Sequence, residues 1–263
     1  MAIADFHNHL VPGVDDGAQT VEEAHGGLAA MHESGVRTLV ATPHVQASLT
    51  RQPAALEARL AEIDLGWATL ESQVAPLFPD LEIHRGAEVM LDTPEPDFSD
   101  ARLRLAGGPF VLVEFPYMTV PPRSERIIPT MKLAGWTPII AHPERYGGVD
   151  PELGIIGEWR RLGAFLQVNV GSVLGRYGTD ARRIALALLD RGWADYLCSD
   201  YHARGRVAVR ECRRRIIEIG GEEQARLLTE LNPARAIKGE VPMPVPPLRP
   251  HRGLWSRIRR AFR

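Results

Sequence analysis

The sequence predicts an α/β fold in which a parallel sheet is rolled into a (β/α) barrel of about seven strands. Three observations carry this. Short apolar strands alternate with polar loops and amphipathic helices along most of the chain, the pattern of βα units. No glycine-rich dinucleotide fingerprint follows the first strand, which speaks against an open, doubly wound sheet. Residues able to bind metal, His7/His9, His44, Glu88, Glu114, His142 and Asp200/His202, all fall at the C-terminal ends of predicted strands. In barrels of this class that is the face where loops from separate strands converge.

The first strand runs through Ile3 and Phe6 into His7-Asn8-His9. Alternate strand residues share a face, so the two imidazoles can address one centre, although such a pair alone also fits two surface histidines beside a turn. Asp15 and Asp16 follow in a glycine-bounded loop from which a carboxylate can return to the same point. Thr20 and Glu23 form a capping box for a helix whose apolar residues Val21, Ala24, Leu28 and Met31 recur at helical spacing up to Gly35. His25 and His32 on that helix read as surface or packing residues. Val36–Thr42 is the second strand, closed by Pro43-His44, and a long amphipathic helix is expected from Gln52 to about Val74. Leu81–Val89 reads as one strand carrying Glu88 near its end, and Asp92–Gly108 as a loop or short insertion.

Phe110–Phe115 is the next strand, with Glu114 near its end. A short helix at about Arg123–Leu133 precedes the strand Trp136–His142, which Pro143-Glu144-Arg145-Tyr146 leaves. A helix around Pro151–Leu162, the strand Phe165–Val170, a helix at about Thr179–Arg191 and the strand Ala194–Asp200 follow. Two helices close the domain, roughly Val207–Ile219 and Glu222–Leu231. The expected division is a catalytic barrel over residues 1–238 and a tail over 239–263. In that tail Val241–Pro247 is proline-rich and resists helix formation, while Leu254–Arg263 is basic and amphipathic, a pattern that can touch an anionic membrane surface.

Composition narrows the function classes. With 44% hydrophobic and 24% charged residues over 263 positions, the chain is an ordinary globular protein. A net charge of -2 gives no general pull toward nucleic acid. The two cysteines are too few for a disulfide framework, and no secretory signal is seen, so a cytoplasmic protein is expected.

The five histidines and four acids (Asp16, Glu88, Glu114 and Asp200) are too many for one ion and suit two or three. Multi-metal sites of nitrogen and carboxylate ligands serve attack on phosphorus, generating hydroxide at neutral pH and stabilising attacking and leaving oxygens. Arg145, with Arg204 or Arg206, can clamp phosphoryl oxygens. Hydrolysis of a phosphate ester is the chemistry this set supports. Cys198 and Arg204 also meet the C-x5-R spacing of thiolate phosphatases. Asp200 would, however, sit inside that cradle and repel the phosphate, and no glycine allows close backbone approach.

Several motifs, D-F-H-N-H-L-V-P-G-V-D-D-G, A-T-P-H, G-A-E, V-E-F, A-H-P-E-R-Y, Q-V-N and S-D-Y-H, occur in order from about Asp5 to Arg206. In them the chain resembles the PHP (polymerase and histidinol phosphatase) superfamily, and within it the bacterial manganese-dependent protein-tyrosine phosphatases of the CpsB/YwqE type. The resemblance implies a distorted (β/α)7 barrel of the PHP type with a trinuclear centre. It implies metal-ligand roles for His7, His9, Asp16, His44, Glu88, Glu114, His142, Asp200 and His202, and phosphate contacts from Arg145 and from Arg206 or Arg204. It further implies manganese, with iron or zinc as alternatives, and as substrate a phosphotyrosine protein such as the tail of a membrane-anchored tyrosine kinase. The alternatives are a small-molecule phosphatase such as histidinol phosphatase, a nuclease of the same superfamily, or a non-catalytic phosphotyrosine-binding regulator.

Overall fold

The computed structural model describes residues 2–248. Strands β1 (Ile3–Asp5), β2 (Val36–Ala41), β3 (His44–Gln46), β4 (Glu82–Arg85), β5 (Glu88–Met90), β6 (Phe110–Glu114), β7 (Thr137–Ala141), β8 (Phe165–Asn169) and β9 (Tyr196–Cys198) alternate with helices. The helices are α1 (Val21–Glu33), α2 (Pro53–Thr69), α3 (Ile127–Leu133), α4 (Gly154–Arg161), α5 (Val170–Val173), α6 (Gly178–Arg191), α7 (Val209–Glu218), α8 (Glu222–Arg226) and α9 (Asn232–Ile237). All strand pairs are parallel, in the orders β1-β2-β4 and β3-β5-β6-β7-β8-β9.

The two sheets are parts of one ring. β3 continues β2 after a break at Thr42-Pro43, and β5 continues β4 after a break at Gly86-Ala87. Pairing is carried across the breaks by Gly86 N–H donating to Ala41 O (3.0 Å) and Glu88 N–H to Pro43 O (3.1 Å). Counting each broken pair once leaves seven strand positions among the described residues. At the C-terminal rim a parallel bridge between Asn8 and Tyr201 joins the exit of β9 to that of β1, with His9 N–H donating to Tyr201 O at 2.8 Å. The expected single strand Leu81–Val89 is therefore two segments. Pro43 has no N–H to give to a ladder, and it stands at the break between β2 and β3.

Alternation along the strands sorts the core. Phe110 and Leu112, Ile139 and Ala141, and Tyr196 and Cys198 meet Phe6 and Val40 inside the ring. Val111, Val113, Ile140, Leu166, Val168 and Leu197 face the surrounding helices. The insertion between β5 and β6 carries two short turns, Ala101–Leu103 and Leu105–Gly107, and Leu105 joins Ala236 in the inner cluster. The capping box of α1 forms slightly displaced. Glu23 N–H donates to Thr20 Oγ1 (3.2 Å), while Glu23 Oε2 accepts from Gln19 N–H (2.7 Å). His32 pairs with Asp80 (2.9 Å) and His25 packs on Phe78, so both stay outside the site.

The proline-rich segment forms no helix, and it is strapped to the body. Asn232 exchanges two hydrogen bonds with Met243 (2.8 and 2.9 Å), Gln224 Nε2 donates to Pro246 O (2.6 Å), and Leu248 N–H donates to Leu189 O (3.2 Å). The basic stretch Leu254–Arg263 lies outside the described residues. No helix among those described is long and apolar enough to cross a membrane.

Candidate metal centre

At the C-terminal rim the strand ends deliver their polar side chains to one place. His7 and His9 share a face as their spacing requires, with ring centroids 5.5 Å apart. Glu114 continues the inward alternation of Phe110 and Leu112. His142 and Asp200 reach the centre differently: each has left-handed backbone (φ 35° and 51°), rare for residues with a Cβ and concentrated at functional sites.

The loop after His9 is pressed against it. A Cβ on Gly17 would lie 2.0 Å from His9 O, so only glycine allows this approach. The approach brings in both aspartates. Asp15, with a nearly buried side chain, accepts from His9 Nδ1–H (2.8 Å) and His44 N–H (3.1 Å). Asp16 sends Oδ1 to within 3.4 Å of His202 Nε2 and 3.5 Å of His44 Nε2.

Bonds behind the ligands fix which atoms face the centre. His7 donates Nδ1–H to Gln167 Oε1 (2.8 Å) and His202 donates Nδ1–H to Asp200 O (3.1 Å). With His9 bound to Asp15, all three rings present Nε2 inward. Gln167 Nε2 donates to Asn169 Oδ1 (2.9 Å), and Asn169 Nδ2 donates to Asp200 Oδ2 (2.7 Å). Arg145 Nη1 also donates to Asp200 Oδ2, at 2.7 Å, and its guanidinium lies over the Tyr177 ring, 4.3 Å from the centroid. His142 is backed by Tyr146 (5.7 Å between rings), which packs on Phe115 and Trp159.

Among the described residues, the buried atoms left with no hydrogen-bond partner include His7 Nε2, His9 Nε2, Glu88 Oε2 and Asp200 Oδ1. They converge, Glu88 Oε2 lying 3.1 Å from His7 Nε2 and 3.3 Å from His9 Nε2, and Asp200 Oδ1 lying 3.2 and 3.6 Å from the same two nitrogens. Donors about 2.1 Å from a tetrahedral ion stand about 3.4 Å apart, so this spacing and this donor chemistry fit a divalent cation. Two further groups overlap the first: His9, Asp16, His44 and His202, and His44, Glu88 and Glu114. His142 Nε2 adds to the last, 3.0 Å from Glu88 Oε1 and 4.0 Å from Glu114 Oε2. All nine side chains expected to be ligands are thus brought together, with Glu88 shared between groups.

The electrostatics agree with that reading. Burial opposes charge on His7, but Glu88 and Asp200 outweigh it and raise its pKa to about 10. His9 is likewise raised well above the usual value against its burial, through Asp15, Asp200 and Glu88. Glu88 and Asp200 are buried yet held well below the carboxylate range by the histidines. Burial and neighbouring His9 depress His202. The cluster is a cage in which imidazoles and carboxylates of opposed charge face one another across a few ångströms.

The arginines divide. Arg145 stands at the centre, bound to Asp200. Arg206 is exposed, its Nη2 3.5 Å from Glu211, and it lines a groove with Ser34, Arg210 and Arg214; Arg204 is exposed. Cys198 is fully buried inside the ring, and burial with neighbouring Asp5 pushes its thiol well above its usual pKa, so it has neither the access nor the ionisation of a nucleophile. Spacing alone did not assign the supports Gln167, Asn169, Asp15 and Tyr177. A legible signal existed for two of them: Phe165, Gln167 and Asn169 alternate, so the polar pair must face inward at a strand end.

A family model for capsular polysaccharide synthesis, CpsB/CapC, matches residues 3–238. The chain is 30% identical over 201 residues to the tyrosine-protein phosphatase YwqE of Bacillus subtilis, covering 75% of this chain and 76% of that protein. It is 30% identical over 212 residues to the tyrosine-protein phosphatase CpsB of Streptococcus pneumoniae, covering 75% and 82%. A crystal structure from work on these two proteins as unique metal-dependent tyrosine phosphatases superimposes with a TM-score of 0.74 at 24% identity, over 94% of this chain and all of the other.

Proposed function

The chain belongs to the CpsB/CapC family of capsular polysaccharide synthesis, and from that premise we propose that it is a metal-dependent protein-tyrosine phosphatase. The observation that carries the reading is the convergence of four unpartnered, buried ligand atoms from His7, His9, Glu88 and Asp200 at the mouth of the ring. These residues would hold one divalent ion, and His44, Glu114, His142, Asp16 and His202 would complete the sites of one or two more. Manganese is the proposed metal, with iron or zinc as alternatives. Bound there, the ions would supply charge stabilisation to phosphoryl oxygens and a nucleophile at neutral pH.

The protein's own groups do the remaining work. Arg145 is held edge-on by Asp200 and face-on by Tyr177, which pre-orients its guanidinium toward phosphoryl oxygens with little loss of side-chain freedom. The chain Gln167–Asn169–Asp200 keeps one oxygen of Asp200 occupied and frees the other for the centre. Arg206 would join the phosphate by releasing Glu211. The proposed substrate is the phosphorylated tail of a membrane-anchored tyrosine kinase. The proposed place of action is the cytoplasm beside the inner face of the membrane, with the basic tail assisting.

The test is hydrolysis of a phosphotyrosine peptide with chelator, manganese add-back and iodoacetamide in parallel arms. Loss on chelation, recovery with manganese and indifference to alkylation are expected. Chelator-indifferent activity that alkylation abolishes would overturn the reading. Turnover of histidinol phosphate but not of the peptide would reassign the substrate.

A further inference from the structure

Beside the metal centre a cavity of ≈ 440 Å³ is lined by His44, Val45, Leu49, Arg59, Met90 and Glu114, with the exposed Gln46 at its edge. Two of these residues, His44 and Glu114, belong to the ligand cluster, where His44 Nδ1 lies 3.3 Å from Glu88 and 3.4 Å from Glu114. The cavity therefore opens onto the position where a phosphoryl group would be held. Its other walls differ in kind. Val45, Leu49 and Met90 are apolar, and Arg59 is fixed in place by donating Nη2–H to His44 O (2.8 Å) and Nη1–H to Glu62 (3.1 Å).

The chemistry of these walls selects among phosphate esters. A cavity with apolar walls and one planar cation suits a flat, weakly polar group, because apolar surface gains by leaving water and a guanidinium beside an aromatic ring is favourable. An aliphatic phosphoester of serine size would leave most of it unfilled. We propose that this cavity is the aryl slot of the centre: it takes the phenyl ring of a phosphotyrosine side chain while the phosphoryl group lies on the ligand cluster. The inference rests on the phosphotyrosine reading above and adds to it the residues, Leu49 and Met90 foremost, that prefer aryl over alkyl phosphates.

The aliphatic side chains sit on the β3 exit and on β5, so the slot is built on the two strands that break. In the β3–β5 register His44 lies opposite Glu88 and Gln46 opposite Met90, so the same strand pair carries candidate ligands and walls of the slot.

The experiment compares wild type with Leu49→Ala and Met90→Ala, each loaded with manganese. The affinities of orthophosphate and phenylphosphonate are measured by calorimetry, and kcat/KM is measured on phosphotyrosine and phosphoserine peptides. In wild type phenylphosphonate is expected to bind more tightly than orthophosphate. Each variant is expected to lose about tenfold or more of that ring-dependent affinity, as one removed apolar contact does, with orthophosphate binding and metal content unchanged. Equal losses for both ligands, or none for either, would overturn the slot. Should wild type hydrolyse no phosphotyrosine yet show the ring-dependent affinity and its loss, the slot stands and the activity falls. Phosphotyrosine turnover whose preference over phosphoserine survives both substitutions would do the reverse.

Discussion

Side chains that converge on a candidate metal site are only as well placed as the groups behind them. Asp15 contacts two of them, through His9 Nδ1 and the backbone N–H of His44, and its own carboxyl is lowered to about 2 despite its burial, chiefly by His9. Asp15→Asn keeps the shape but replaces an ionised acceptor with a neutral amide. Manganese affinity measured by titration is expected to fall about 10- to 100-fold, as it does when such outer partners are removed, while the fold by circular dichroism is retained. The convergence of the nine candidate side chains was legible in the sequence because strand ends fix position and chemistry at once. Asp15 was less legible: two adjacent aspartates differ only in which way the loop turns, and that turn depends on Gly17 being pressed against His9. Arg206 shows the same limit, since spacing places an arginine near the rim but does not reveal that Glu211 competes for it.

Whole elements were legible by period, and their interruptions were not. Hydrophobic alternation reads straight through Gly86-Ala87, so Leu81–Val89 looks continuous although its pairing passes from β2 to β3 across the Thr42-Pro43 break. The expected helix from Gln52 to Val74 is realised as Pro53–Thr69 with a wider final turn, Leu70–Val74, because burial of Leu70 and Val74 outweighs regular geometry there. The end of α6 is a sharper case. Gly192 caps it in left-handed conformation (φ 65°), and a Cβ there would meet Val245 O at 2.4 Å. Gly192→Ala thus combines backbone strain with expulsion of the strap. It is expected to cost about 2 kcal/mol or more, read as a lower urea midpoint, without changing manganese content.

At the scale of the molecule, protons and metal ions compete for one cage. His7 has a folded pKa of about 10 against an ordinary 6.5. In metal-free protein its contribution to stability is therefore fully present below about pH 6.5 and lost as pH rises through about 10. Ions displace those protons, so manganese affinity is expected to rise from pH 6.5 toward pH 10. Binding enthalpies in buffers of different ionisation heat should report proton release on loading. A pH-independent affinity with no proton release would contradict the cage. The ring itself, the face on which the ligands gather and the βα order all followed from the sequence. Closure through Asn8 and Tyr201 did not, because a single bridge leaves no periodic trace.

The strap has a directional consequence. It is fastened to Leu189 and Gly192, at the end of α6, and to Asn232, whose Nδ2 also donates to Asp195 O just ahead of β9. Those residues precede a strand, whereas the ligands follow strands, so the chain passes Leu248 on the side of the ring opposite the mouth. A bead, a fusion partner or an anchoring surface attached at that residue would hold the protein with its mouth facing outward. Immobilisation through that end should therefore leave even bulky phosphoproteins free to approach, whereas attachment through the loop at Gly13 would bring the support up against the ligands.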